Sequence, residues 1–329
     1  MKRKTLVVLS LLVCLIVVGV GQVGAAPIVL RFGGIQSVTD TTTRAMMRMA
    51  EQVEKESDGR LKIEVYPASQ LGDAVSQIEG VMMGSLDMFC DAGEWCSQFV
   101  KDWNVMALTF VFDDEAHLRN FLGGPVNGAI EEQLRAERGV RVVANNWIRA
   151  PRVITSRKPI LKLEDLQGLK MRVPEIKMYL ESWQALGTKP TMVAWSEVYL
   201  ALRQGIVEAA EGPLDTMYTM KFYEVGPHIT LTYHLMSNMN VLINDRKFKS
   251  LPADLQEILI KAANDAGDWF SATVRQMSVE YVEKMKEGGA QFYEVDIAPF
   301  KAKMPALAAK MEEEGIWSKG LYEQVQALR

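Results

Sequence analysis

Cysteine is scarce in this chain: Cys14, Cys90 and Cys96 are its full complement. Cys14 lies inside an apolar N-terminal run, so two thiols remain, in "FCDAGEWC", at a spacing that matches no zinc or redox motif. Pairing and burial as free thiols both remain open. Histidine is as rare. His228 and His234 stand six residues apart with no nearby cysteine, and His117 ends the acidic stretch "DDEAH", which lacks the alternating ligands and glycine of a calcium loop. Ordinary hydrogen-bonded histidines and an acidic helix start are the expectation. The patterns G-x-S-x-G, H-E-x-x-H and G-x-x-x-x-G-K-[ST] are also missing. With no nucleophile pair, metal set or phosphate loop, the chain reads as a non-enzyme without cofactor or metal.

An excess of positive charge is absent too. The formal charge is −4, from 37 basic and 41 acidic residues. Taking away residues 1–25 removes three basic residues and no acid, which brings it to −7. Nucleic-acid binding, which rests on lysines and arginines neutralising phosphates, is excluded as an expectation. Only one long apolar run exists, and it is N-terminal. Lys2, Arg3 and Lys4 precede apolar residues 5–20, and Val23 and Ala25 frame a cleavage site before Ala26. That is the layout of a secretory signal peptide, too short to span a bilayer comfortably. Gly19, Gly21 and Gly24 in the same stretch have G-x-G-x-x-G spacing, but a dinucleotide site needs a helix next, and "AAPIVLRFGG" reads as a strand. The expected location is the periplasm.

Beyond this N-terminal run, strands and helices alternate. "IVLRFGG" (28–34), "RLKIEVYP" (60–67) and "SLDMFCD" (85–91) read as strands, separated by helices. The first helix is capped by Thr39 or Asp40 and stopped by Gly59, and the second covers 73–84. Further strands are expected at 141–147, 152–160, 170–174 and 239–245, with helices at 177–187 and at 196–205, the latter capped by Ser196. Sustained apolar periodicity from Pro252 to about Lys286 predicts one helix some 50 Å long, with Gly267 bending it or tolerated within it. The fold class is α/β with a mostly parallel sheet. The chain is long enough for two lobes, no flexible linker separates them, and a ligand cleft between them is the default site.

Some residues carry two readings on physical grounds. Arg152 in "APRVITS" and Arg172 in "LKMRVPE" sit in strand-like segments, where an arginine either points to solvent or is held to receive a carboxylate. Trp95, Trp147 and Trp195 stand where strands give way to loops, as core packing or as the lining of a pocket.

The stretches "SRKPILKLEDLQGLKMRVPE" and "LGTKPTMVAWSEVYLALRQGIVEAAEGP", with "KIEVYPASQLGD" and "GSLDM", resemble the substrate-binding proteins of tripartite ATP-independent periplasmic (TRAP) transporters over essentially the whole mature chain. The resemblance implies a two-lobed periplasmic-binding-protein-like fold with a hinge of crossing strands and a long helix spanning both lobes. It implies lobe I from 26–149 plus about 238–277, and lobe II from 150–237 plus about 278–329. Arg172 falls on the signature arginine that pairs with the ligand carboxylate, Arg152 on a second arginine, and Trp195 on the aromatic that packs on the ligand. Where many members carry G-x-E-N-P this chain has "AAEGP", so Gly212 replaces an asparagine and implies space for a bulkier or flatter acid than a small dicarboxylate. Glu211, Asp215, Asp91, Glu94, Asn238, Gln36 and Trp147 complete the expected ligand-binding set. The implied partners are a small organic acid and the membrane permease of a TRAP transporter, with the protein a monomer. Sugar acids, hydroxy or keto acids and aromatic acids all remain open as ligands. The competing functions are a sensor module that presents its ligand to a membrane receptor, and an exported enzyme using Glu211 or Asp91 as acid or base.

Overall fold

In the computed structural model, which describes residues 26–329, the first strands pair in the order the alternation predicts. Ile28–Gly33 (β1) lies parallel to Leu61–Tyr66 (β2) on one side and to Met88–Ala92 (β3) on the other. Between β1 and β2 runs the helix Thr41–Glu56, whose N-cap is Asp40: its carboxylate accepts from the Thr42 amide. Ala45, Met46, Met49 and Val53 recur at helical spacing and are buried on one face. Asp73 caps the helix Ala74–Met83 in the same way, and Gly84, with φ at 82°, closes it in the left-handed region that suits glycine.

Val140–Ile148 (β4) and Asn238–Asn244 (β10) complete the first sheet, in the order β2-β1-β3-β10-β4, with β10 antiparallel to both neighbours. The second sheet contains Arg152–Ser156 (β5), Lys170–Val173 (β6), Lys189–Met192 (β7), Ala209–Pro213 (β8), His228–Leu231 (β9) and Gln291–Glu294 (β11). Its order is β11-β9-β5-β8-β6-β7, with β5 antiparallel to β8 and β9. The sheets are thus mixed, where alternation alone suggested mostly parallel ones. The reason is the hinge: β5 and β10 enter directly from the other sheet, through residues 149–151 and 232–237, instead of by a helical crossover, and so run against their neighbours.

The third tie between the lobes is the helix Ala253–Glu287, 35 residues long and about 50 Å at 1.5 Å per residue. Packing against β4 requires the glycine at 267. A Cβ there would collide with Asn146 Oδ1 and Trp147 Cδ1, so glycine is what lets the helix lie against β4. Trp147 donates its indole N–H to the Ala263 carbonyl of this helix at 2.8 Å. The end of the chain returns to the first part of the sequence: Ser318 donates to Asp102, the His117 ring meets the Val325 carbonyl at 2.7 Å, and Gln326 donates to the Val111 carbonyl. The helix Met304–Glu313 packs at the same time on Lys177–Ala185 of the second lobe, so the C-terminal residues touch both. Two further local expectations are corrected. Ser196 lies inside a single 3-10 turn, Trp195–Glu197, before the helix Val198–Gln204, and caps nothing. The strand expected over 152–160 ends at Ser156. Cys90 and Cys96 are both free and buried, and burial pushes the Cys96 thiol up to about 12. The leader expected over residues 1–25, with its glycines, lies outside the described residues.

Candidate functional site

Three arginines gather between the sheets, each in a different electrostatic position. Arg152 opens β5, and the β5–β8 register sets Ile154 opposite Glu211. Arg152, two residues from Ile154, therefore shares a sheet face with Glu211 as its diagonal neighbour. Its Nε and Nη2 donate to Glu211 Oε2 and Oε1 at 2.5 and 2.7 Å. His234 reaches the same Oε2 with Nε2 at 3.2 Å. Burial alone would raise the Glu211 carboxyl, but Arg152 and the His234 bond outweigh it and hold it well below the usual carboxylate range. Burial also works against Arg152, and Glu211 keeps it firmly charged. His234 is pushed down by burial despite Glu211. As a neutral ring it donates to Glu211 and accepts the Thr232 hydroxyl on Nδ1, 2.7 Å away.

Arg172, on β6, is only half satisfied. Its Nε donates to the Val193 carbonyl at 3.0 Å, while Nη1 stands 3.9 Å from Glu211 Oε1 and has no hydrogen-bond partner. Burial lowers it to about 10, with Glu211 opposing, which leaves it cationic at neutral pH. The guanidinium lies over the Trp195 ring, 5.3 Å from its centroid. A buried cation with one face on an indole and a free N–H edge is built to receive a planar anion such as a carboxylate.

The free edges open on a cavity between the lobes. Arg152, Arg172, Tyr179 and Trp195 line it from the second lobe, Gln36, Asp91 and Trp95 from the first, and Arg149 from the link between β4 and β5. Asp91 Oδ1 accepts from the Ala92 amide at 2.6 Å and from Gln36 Nε2 at 3.5 Å. Burial raises the Asp91 carboxyl, and Arg149 opposes the shift. The two walls differ in kind. Among their buried unpaired side-chain atoms, Gln36 Oε1 and Asp91 Oδ2 on the first are acceptors, and Arg172 Nη1 and Trp195 Nε1 on the second are donors. The cleft is shut, with Gln98 donating across it to the Glu175 carbonyl at 3.0 Å and Thr219 to Asp40 Oδ2 at 3.1 Å.

Residues 32–314 match the family model DctP, described as bacterial extracellular solute-binding protein, family 7. The chain belongs to this family. Among family 7 relatives, it is 30% identical over 282 residues to the sialic acid-binding periplasmic protein SiaP of Vibrio cholerae, covering 84% of this chain and 86% of the relative. It is 31% identical over 265 residues to the 2,3-diketo-L-gulonate-binding periplasmic protein YiaO of Escherichia coli, covering 80% of each. A solved TRAP periplasmic solute-binding protein from Ochrobacterium anthropi with bound L-fuconate superposes with a TM-score of 0.87 at 30% identity, covering 92% of this chain and 99% of that one. The two-lobed fold is thus that of the TRAP solute-binding proteins, and no described helix is long and apolar enough to cross a membrane.

In this family 7 chain, Arg172, Arg152, Trp195, Gln36 and Asp91 come together around the cavity. Glu211 lies behind the arginines and neutralises Arg152 in place of touching the cavity itself. Glu94 is also behind the wall, where it accepts the Tyr179 hydroxyl at 3.4 Å; burial raises its carboxyl, against Arg152 and Arg149. Asp215 is buried in the helix Leu214–Thr219, away from the cavity lining. Gly212 does not open space: a Cβ there would stand 2.7 Å from Met217 Cε and 3.4 Å from the Trp195 ring, so that volume is already filled. Trp147 is core, tilted against Phe270 and bonded to the long helix. Asn238 is fully buried and donates to the Asn145 carbonyl and to Asn240 Oδ1, and so braces the hinge strand. Sequence reasoning passed over Arg149 and Tyr179 and placed Trp95 only among the ambiguous tryptophans. The signal for Arg149 was present, since "WIRAPR" puts two arginines in one apolar setting.

Proposed function

We propose that this protein captures a sugar acid in the periplasm by closing its lobes on it, and delivers it to the permease of a TRAP transporter. The carrying observation is the opposed character of the cavity walls. The second lobe offers unpaired donors around a desolvated guanidinium, which suits a carboxylate, and the first offers unpaired acceptors, which suit hydroxyl groups. A ligand with a carboxylate at one end and several hydroxyls beyond it satisfies both. Aromatic faces from Trp95, Tyr179 and Trp195 supply flat apolar contact for its C–H groups. The reading is supported by solved relatives with bound L-fuconate, L-galactonate and β-D-galacturonate. Closure removes water from around the ion pair and so strengthens it, and the ligand shifts the open–closed balance by its preference for the closed form.

A thermal-shift screen tests the proposal with L-galactonate, L-fuconate, D-glucuronate, sialic acid, succinate and neutral galactose. A ligand at 100 times its Kd adds about 2.7 kcal/mol of stability, a shift of several degrees. The expected result is a shift with at least one hexonate or hexuronate and none with galactose or succinate. A response confined to succinate or the neutral sugar overturns it.

A further inference from the structure

Arg149 is the one cavity arginine that, among the described residues, has no carboxylate within ion-pair distance. It lies on the three-residue link 149–151 between β4 and β5, where its amide donates to the Ser237 carbonyl at 3.0 Å and ties the crossing strands together. Its side chain is 8% exposed and lines the cavity. Arg152 is held bidentately by Glu211, and Arg172 bonds the Val193 carbonyl and lies on Trp195. Among the described residues, Arg149 makes no such ion pair or side-chain hydrogen bond. The acids that feel its charge form no ion pair with it and are only partly engaged: Asp91 Oδ1 takes the Ala92 amide and Glu94 Oε1 the Tyr179 hydroxyl, while Asp91 Oδ2 and Glu94 Oε2 have no partner. A guanidinium has five N–H donors and cannot shed its proton, so those of Arg149 that face the cavity are available to a ligand.

Arg149 also acts on different groups from Arg172. Asp91, Cys90 and Asp215 feel Arg149, whereas the acids bearing on Arg172 are Glu211 and Glu175. The cavity therefore has two cationic positions in need of an acceptor. One carboxylate satisfies Arg172 and leaves Arg149 unmatched. Hydroxyl oxygens accept hydrogen bonds but bring no charge.

Building on the sugar-acid reading of this cleft, we propose that Arg149 binds a second carboxylate of the solute, so that the preferred ligand is a polyhydroxylated acid charged at both ends. Its chain would run between Arg172 and Arg149, with the hydroxyls between them facing Gln36 and Asp91. The six-carbon aldaric acids have this chemistry.

Calorimetric titration of the mature protein with galactarate and with L-galactonate, which differ in the charge at one end, tests this. Wild type should bind galactarate at least about tenfold more tightly. Arg149→Gln should lose most of that preference, weakening galactarate about tenfold or more and galactonate by no more than about threefold. Arg149→Lys keeps the charge without the fork and should fall between, and it carries the test if the glutamine variant does not fold. Equal or tighter wild-type binding of galactonate, or an equal loss of both acids in the variants, overturns the role of Arg149 and leaves the sugar-acid reading standing. Binding of neither acid by wild type overturns this proposal, and the sugar-acid reading is then decided by the thermal-shift screen.

Discussion

Arg152 and Glu211 form a closed, bidentate pair at 2.5 and 2.7 Å inside the second lobe, with the glutamate fully buried. This pair separates the two strand arginines into different jobs. Arg152 has its fork filled by the protein, and Arg172, 3.9 Å from the same carboxylate, keeps an unpaired Nη1. Glu211→Ala should therefore destabilise the protein by about 3–5 kcal/mol, because it strands a buried guanidinium and removes the acceptor of His234. Urea unfolding checks it, and a midpoint within error of wild type would show that the pair does not compensate the charge.

Arg172→Ala should cost about 2–5 kcal/mol of binding free energy, roughly 30-fold or more in Kd, since it leaves the ligand carboxylate buried without its partner. Arg172→Lys should recover little, because an ammonium cannot present parallel N–H bonds while lying flat on Trp195. Calorimetry with L-galactonate gives both numbers. Near wild-type affinity in the alanine variant would place the carboxylate elsewhere in the cleft.

Helix and strand positions were legible because periodicity and caps are local properties. Asp40, Asp73 and Asp114 each announce a helix within three residues, and each does cap one. The antiparallel hinge strands were not legible, since the direction in which β5 enters its sheet depends on what it crosses from. Arg172 and Trp195 stand in stretches whose residue pattern carries the resemblance to the TRAP binding proteins, and the cavity forms around them. Trp147 and Trp95 show the limit. Both sit near strand ends, but only the three-dimensional packing decides that Trp147 faces the long helix and Trp95 the cavity. Arg149 was not legible because the crossing link that carries it has no secondary-structure signal of its own.

Two glycines in helices should respond oppositely to alanine. At Gly267 a Cβ would run into Asn146 and Trp147, so Gly267→Ala must push the long helix off β4 and should cost about 1–3 kcal/mol or more. Gly128, inside the helix Pro125–Arg138, has nothing near its Cβ position. There Gly128→Ala should gain about 0.5–1 kcal/mol from helix propensity alone. Thermal melts of the two variants compare them directly. A stabilised Gly267→Ala protein would mean that the helix–strand contact is loose enough to admit a methyl group.

Asp40 and Asp215 are both buried, on helices linked by the Thr219–Asp40 bond, and burial together with the Asp40 charge pushes the Asp215 carboxyl up to about 7. Arg149 opposes that shift from the hinge link. An aspartate in the unfolded chain titrates near 3.9. Because the folded value is the higher one, Asp215 contributes stability that is full below about pH 4 and is lost as the pH rises through about 7. Asp215→Asn, which cannot ionise, should flatten the fall in stability between about pH 5 and 8 and be the more stable form at pH 8 by up to a few kcal/mol. Urea unfolding of both proteins across that range measures the slope. Parallel stability curves for the two would show that the proton is held elsewhere.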